Sequence, residues 1–223
     1  MVNTGQDRSP ERARQDYCKA ILQLGDGQPV KPADVARRLG VSRASVSKLA
    51  RDLQRRGYVR ALGGGQLQLS AKGGKLALAV VRRHRIVETF LHQALGVPLE
   101  RLHAEAERIE HVISDDVAKR LEHLLGHPQF DPHGDLIPGT GGKGRRDGPL
   151  AQAPVGRTMR ITRIADRDAR VVRALSRHGL LPGSDVKILN RTPRTTTLRV
   201  RGAEVTLAAA IVDAVLVERT RRE

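Results

Sequence analysis

An α+β chain is predicted from three features of the sequence. Within the first 75 residues a helical stripe, a short helix, a Gly-containing break and a capped helix are followed by two short strand-like runs. The middle of the chain reads as two long helices rich in leucine and histidine, and the last 69 residues alternate like short strands. Domain boundaries are expected as 1–75, 76–140, a Gly/Pro-rich linker at 141–154, and 155–223.

The first block carries the clearest local signals. Tyr17, Ala20, Ile21 and Leu24 form the apolar stripe of a helix over Arg12–Leu24, closed by Gly25. Pro32 suits the first turn of a helix whose Val35, Ala36 and Leu39 face inward. Gly40-Val41-Ser42 breaks it, and Ser42 is a natural N-cap for Arg43–Arg56, with Val46, Leu49, Ala50 and Leu53 at helical spacing. This is a helix-turn-helix pattern. Tyr58–Leu62 and Gln66–Ser70, on either side of three glycines, supply a β-hairpin wing. Ser42, Arg43, Ala44, Ser45, Ser47 and Lys48, near the start of the second helix, are the residues expected to reach phosphates and base edges of double-stranded DNA.

Composition agrees with a polyanionic partner. The 223 residues carry 40 Lys+Arg against 24 Asp+Glu, a formal charge of +16. The excess sits at the ends, with +9 in residues 1–75 and +8 in residues 155–223, while residues 76–125 balance at −1. A lone Cys18 excludes an internal disulfide framework and any zinc site built on several thiolates. Four aromatic residues, Tyr17, Tyr58, Phe90 and Phe130, are too few for a base-stacking single-strand binder. The polar start Met1–Pro10 and the lack of a long apolar run predict a cytoplasmic protein with no membrane partner.

Chemistry concentrates in the middle block. On a helix over Lys75–Leu95, His84 and Glu88 are four residues apart and share a face. A second helix, read from Leu99 to Leu125, carries His103, Glu107, Glu110 and His111 along one stripe. Helix-borne carboxylates and imidazoles at these spacings are ligands of transition-metal ions in helical bundles. A set of oxygen and imidazole donors without sulfur suits Mn²⁺ or Fe²⁺, although intrinsic affinity alone favours Zn²⁺. An enzyme of the carboxylate-bridged hydrolase or oxidase class would use the same residues. No nucleophile elbow, P-loop or dinucleotide fingerprint accompanies them, and the chain is read as a non-enzyme. A structural nucleoid-type DNA binder, with metal serving only folding, is the third reading.

These motifs resemble the DtxR/MntR family of metal-dependent transcriptional repressors over nearly the whole chain. The resemblance rests on Asp34–Leu39 with Val41–Ser47, on Arg83-His84-Arg85, on Glu105–His111 with Ser114, and on Pro128–Gly134. It implies a primary metal site of Asp16, Glu107, Glu110 and His111 and a second site of His84, Glu88 and His103. Carboxylates at positions 16 and 107, where iron-type members have Met and Cys, resemble the manganese-sensing branch. Lys19 stands where some small manganese sensors place a Glu that helps hold a two-metal cluster. His178–Val186 resembles the turn of a FeoA-type, SH3-like barrel, with strands expected at 158–163, 185–190, 197–200 and 214–218 and a helix at 170–177. In longer members that domain lends acidic ligands to the second site; Asp168 is the positional match, with Val171 at the partner position. The resemblance thus implies a homodimer joined by its middle helices, binding a DNA operator under control of Mn²⁺ (alternatively Fe²⁺) and repressing metal-uptake genes.

Overall fold

The computed structural model describes residues 9–25 and 27–220, which divide into two compact units, 1–83 and 84–223. The N-terminal stretch expected to lack a secretory signal lies, through residue 8, outside the described residues.

In the first unit, helix α1 (Pro10–Gly25) buries Tyr17, Cys18, Ala20 and Ile21. Helix α2 (Pro32–Leu39) begins on its proline and stops at Gly40, whose φ of 63° lets the Val41 N–H turn back to the Ala36 carbonyl. Helix α3 (Arg43–Arg55) starts where the Ser42 hydroxyl accepts the Ser45 N–H at 3.1 Å. Val35, Val46 and Leu53 close the core between these helices. Strands β1 (Val59–Ala61) and β2 (Leu67–Leu69) pair antiparallel around a one-turn 3-10 helix at Gly63–Gly65, forming the wing. Val30 bridges to Leu67, so the wing is tied to the segment ahead of α2.

Helix α4 (Ala71–Gln93) runs across the division of the two units. In the second unit the expected Leu99–Leu125 helix is two: α5 (Leu99–Ile109) and α6 (Asp115–Leu124). The break is built by Ser114, which caps α6 by accepting the Val117 N–H at 3.2 Å, with Asp115 and Asp116 in its positively polarised first turn. Glu110 and His111 therefore stand in the turn after α5 rather than on a continuing helix.

The rest of the second unit is a six-stranded antiparallel sheet in the order β3-β8-β4-β5-β6-β7. Its strands are β3 (Gly148–Pro149), β4 (Thr158–Ile164), β5 (Asp185–Arg191), β6 (Thr195–Val200), β7 (Ala203–Ala208) and β8 (Val215–Arg219). Helix α7 (Ala169–Arg177) follows β4, and the short α8 (Ala209–Val212) follows β7. No ladder joins β3 to β7 among the described residues, so the expected small barrel is an open-ended sheet. Strand β7 was not expected, and β3 lies inside the stretch expected as a linker. Leu150 and Ala153 of that stretch are buried, and Asp147 accepts hydrogen bonds from Thr162 and Arg163. One continuous core joins Val87, Leu91, Leu99, Leu102 and Ala106 of the helices to Leu150, Ile161, Val172, Leu175 and Val215 of the sheet portion.

Candidate metal centres and nucleic-acid face

The helical spacing of His84 and Glu88 on α4 brings His84 Nε2 to 3.2 Å from Glu88 Oε1. α5 adds His103, whose Nδ1 lies 3.2 Å from His84 Nε2 and 3.9 Å from Glu88 Oε1. The loop leaving β4 adds Asp166, with Oδ2 3.2 Å from His103 Nδ1. Donor atoms of these four residues all lie within 4.8 Å of one another. The geometry thus gathers His84, Glu88 and His103, the residues of the expected second site. It replaces Asp168 with Asp166: Asp168 N-caps α7, its Oδ1 accepting the Arg170 N–H at 2.9 Å, and its side chain is half exposed.

Beneath this group lies a turn that the residue-type patterns did not single out for metal. Asp131 Oδ1 accepts the N–H groups of His133 and Asp135, each at 2.9 Å, and Arg85 holds its other oxygen at 3.4 Å. The turn presses against β4, where the Ile164 N–H donates to the His133 carbonyl at 2.9 Å. His133 is fully buried; its Nε2 meets the Leu99 carbonyl at 3.2 Å, and its Nδ1 faces Glu88 Oε1 at 3.8 Å. Glu88, Asp131 and His133 form a second close group of donors. The signal for it was the D-P-H-G run, unreadable as a site until the fold carried it against α4.

Electrostatics mark the same place as one for a cation. Burial acts to raise Glu88, but His84 and His133 beside it hold the carboxyl down, near 2. Burial opposes protonation of His133, and Glu88 overcomes it and lifts the imidazole to about 9. Burial and the charges of Glu88 and Asp135 push Asp131 up to about 8. Neither Glu88 oxygen nor His133 Nδ1 has a hydrogen-bond partner of normal geometry among the described residues. The buried Glu88 carboxylate is thus held by the positive charge of the neighbouring imidazoles, a role that a divalent cation among the same imidazole and carboxylate donors would take over. The donor set fits a metal ion.

Glu110 reaches this group from the turn after α5. Its Oε2 is 2.5 Å from His84 Nδ1 and its Oε1 is 3.1 Å from His111 Nε2. Donors of Glu107, Glu110 and His84 lie within 4.8 Å of one another. Glu107 is the most exposed of them, with its Oε1 3.8 Å from His103 Nε2. Asp16 lies on the buried face of α1, in the first unit.

On α3 the six residues singled out for DNA, Ser42, Arg43, Ala44, Ser45, Ser47 and Lys48, are all exposed around the helix start. Val46, between them, is buried. Its inward anchoring fixes which face the others present.

Comparison with known proteins places this arrangement. Residues 11–63 match the iron dependent repressor N-terminal DNA binding domain, residues 70–139 the iron dependent repressor metal binding and dimerisation domain, and residues 148–219 the FeoA domain. The chain is 35% identical to the iron-dependent repressor IdeR of Mycobacterium leprae, covering 91% of this chain and 95% of that one. It is 30% identical to the diphtheria toxin repressor of Corynebacterium diphtheriae, covering 91% and 95%. A solved manganese-dependent transcriptional repressor in complex with manganese superposes with a TM-score of 0.84 at 34% identity, covering 92% of this chain and 99% of that one. No helix of the described residues is long and apolar enough to cross a membrane. With its DNA-binding, metal-binding and dimerisation, and FeoA portions all matched, the chain belongs to the DtxR family of metal-dependent transcriptional repressors, proteins that dimerise on DNA operators and are not enzymes.

Proposed function

We propose that this repressor responds to Mn²⁺ and acts in the cytoplasm on metal-uptake genes. The observation that carries the reading is the donor set: the close groups of donors contain carboxylate and imidazole only. Burial pushes the lone thiol, Cys18, up to about 12, which suits a core residue rather than a metal-ligating thiolate. Hard oxygen donors favour Mn²⁺ or Fe²⁺ over ions that seek sulfur. Similarity to a manganese-dependent repressor supports the first, and similarity to iron-dependent repressors keeps Fe²⁺ as the second reading.

Two sets of residues would hold the ions. The family resemblance implies a primary set of Asp16, Glu107, Glu110 and His111. His84, Glu88, His103 and Asp166 form the other, with His133 facing the shared Glu88. A bound ion supplies positive charge that lets several carboxylates stand close together. Without it, Asp16, Glu107 and Glu110 repel one another and α1 is held less firmly. α3 then presents Ser42, Arg43, Ser45, Ser47 and Lys48 in a less defined position, and the paired recognition helices of the dimer lose their spacing. Metal and operator assist one another by linkage, with a coupling of about 1–3 kcal/mol, or roughly 5- to 150-fold in affinity.

Operator binding titrated with Mn²⁺, Fe²⁺ and Zn²⁺ tests this. Mn²⁺ is expected to activate at the lowest free concentration, and Glu107→Ala to bind operator weakly at any Mn²⁺ level. Activation by Fe²⁺ at lower free concentration selects the iron reading. Wild-type affinity and metal response in Glu107→Ala overturn the bridging scheme.

A further inference from the structure

The C-terminal end of α6 carries a pair of histidines outside the donor groups described above. Gly126, at φ 71°, turns the chain back on the helix: its N–H reaches the His123 carbonyl and the His127 N–H reaches the Glu122 carbonyl, each at 3.0 Å. His127 follows at φ 56°, a left-handed conformation uncommon for a residue with a side chain. The result sets its ring against the last turn of α6. His127 Nε2 stands 3.4 Å from His123 Nδ1, with the rings edge to face at 70°. Both residues are exposed. Behind them Glu122, with its side chain only 10% exposed, places Oε1 3.9 Å from His127 Nδ1.

We propose that His123 and His127 form a separate surface site for a divalent ion of the zinc class, with Glu122 as the positioning residue. The spacing is the first argument. Two imidazole nitrogens, each 2.0–2.1 Å from one tetrahedral zinc, lie about 3.4 Å apart. The second is the Glu122 carboxylate, whose Oε1 stands 3.9 Å from the far nitrogen of His127, in ion-pair range and short of a hydrogen bond. A metal-ligating imidazole ordinarily gives its other N–H to such a partner, and a small rotation of the His127 ring on binding an ion would close that gap. The third is donor type. Two nitrogens open to water select Zn²⁺, Ni²⁺ or Cu²⁺ by the usual order of affinities, whereas Mn²⁺, at the bottom of that order, gains little from them. The chain thereby offers an imidazole site at its surface and carboxylate-rich sites within, and the two differ in the ions they prefer.

The test is a Zn²⁺ titration of the full chain against a chromophoric competitor, with Mn²⁺ binding counted separately. The expected result is one fewer Zn²⁺ equivalent in His123→Ala/His127→Ala, with the Mn²⁺ count and far-UV circular dichroism unchanged. Glu122→Gln is expected to keep the equivalent but weaken it about tenfold. Because position 123 is exposed, His123→Gln alone serves as the second variant and is expected to lose the same equivalent. An undiminished Zn²⁺ count in the double variant overturns the proposal, as does loss of an Mn²⁺ equivalent along with it.

Discussion

Asp166 and Asp168, two positions apart in the same loop, have opposite duties. Burial would raise Asp166, but the hydrogen bond and charge of His103 more than offset it and hold the carboxyl well below the usual range. Asp168 is held low chiefly by the backbone N–H of Arg170, as a helix cap. Asp166→Ala is therefore expected to weaken metal binding at the second site by at least tenfold, read by calorimetry, while Asp168→Ala leaves it unchanged and lowers the melting temperature. Because the folded pKa of Asp168 lies below its unfolded value, its cap contributes fully above about pH 4 and fades as pH falls through the folded value. The melting-temperature gap between wild type and Asp168→Ala should close in that acid window. Cys18 is a second residue with a plain forecast. Burial is the main cause of its raised pKa, partly countered by Arg14, so little thiolate exists at pH 8. Ellman's reagent is expected to leave it unmodified until denaturant is added, and fast labelling of the native protein would contradict this burial.

Among the elements, legibility followed amphipathic period. The stripes of α1, α2 and α3 and the cap at Ser42 are local signals, and the structure places these elements within a few residues of where the pattern did. The α5–α6 break was missed because Leu102, Ile109, Val117 and Leu121 suggest one long helix across it, although Ser114-Asp115-Asp116 is a helix start in its own right. Strand β7 was missed because it is an edge strand, with Ala203, Glu204, Thr206 and Ala208 exposed and little apolar alternation to read. In the site, the i, i+4 pair His84 and Glu88 was visible, since one helix fixes it. His133 was not, since only the docking of its turn on β4 brings it to Glu88. Gly134 makes that docking possible. It has φ 92°, and a Cβ there would stand 2.0 Å from the Thr162 carbonyl oxygen. Gly134→Ala is expected to cost about 2 kcal/mol, in the range of core overpacking, and to weaken the second metal site together with the fold. Urea melts and calorimetry on one preparation would show both, and a variant with wild-type stability would rule out the close approach.

Taken as a whole, the molecule departs most from a string of separate modules in residues 84–223. The helices that bear His84, Glu88 and His103 and the sheet whose β4 leads into Asp166 share one apolar core. Packing thus positions the proposed metal ligands of these two portions relative to one another. Lys143, Arg145 and Arg146 lie in an exposed stretch between the buried Ile137 and Leu150. Arg145 reaches back to the Thr162 carbonyl and stacks on Phe130. Trypsin nicking at these basic residues should consequently yield two polypeptides that migrate apart only under denaturing electrophoresis and co-elute from a sizing column. Since the shared core rather than this stretch joins the two portions, the two pieces, expressed separately, should find each other and rebuild a working sensor.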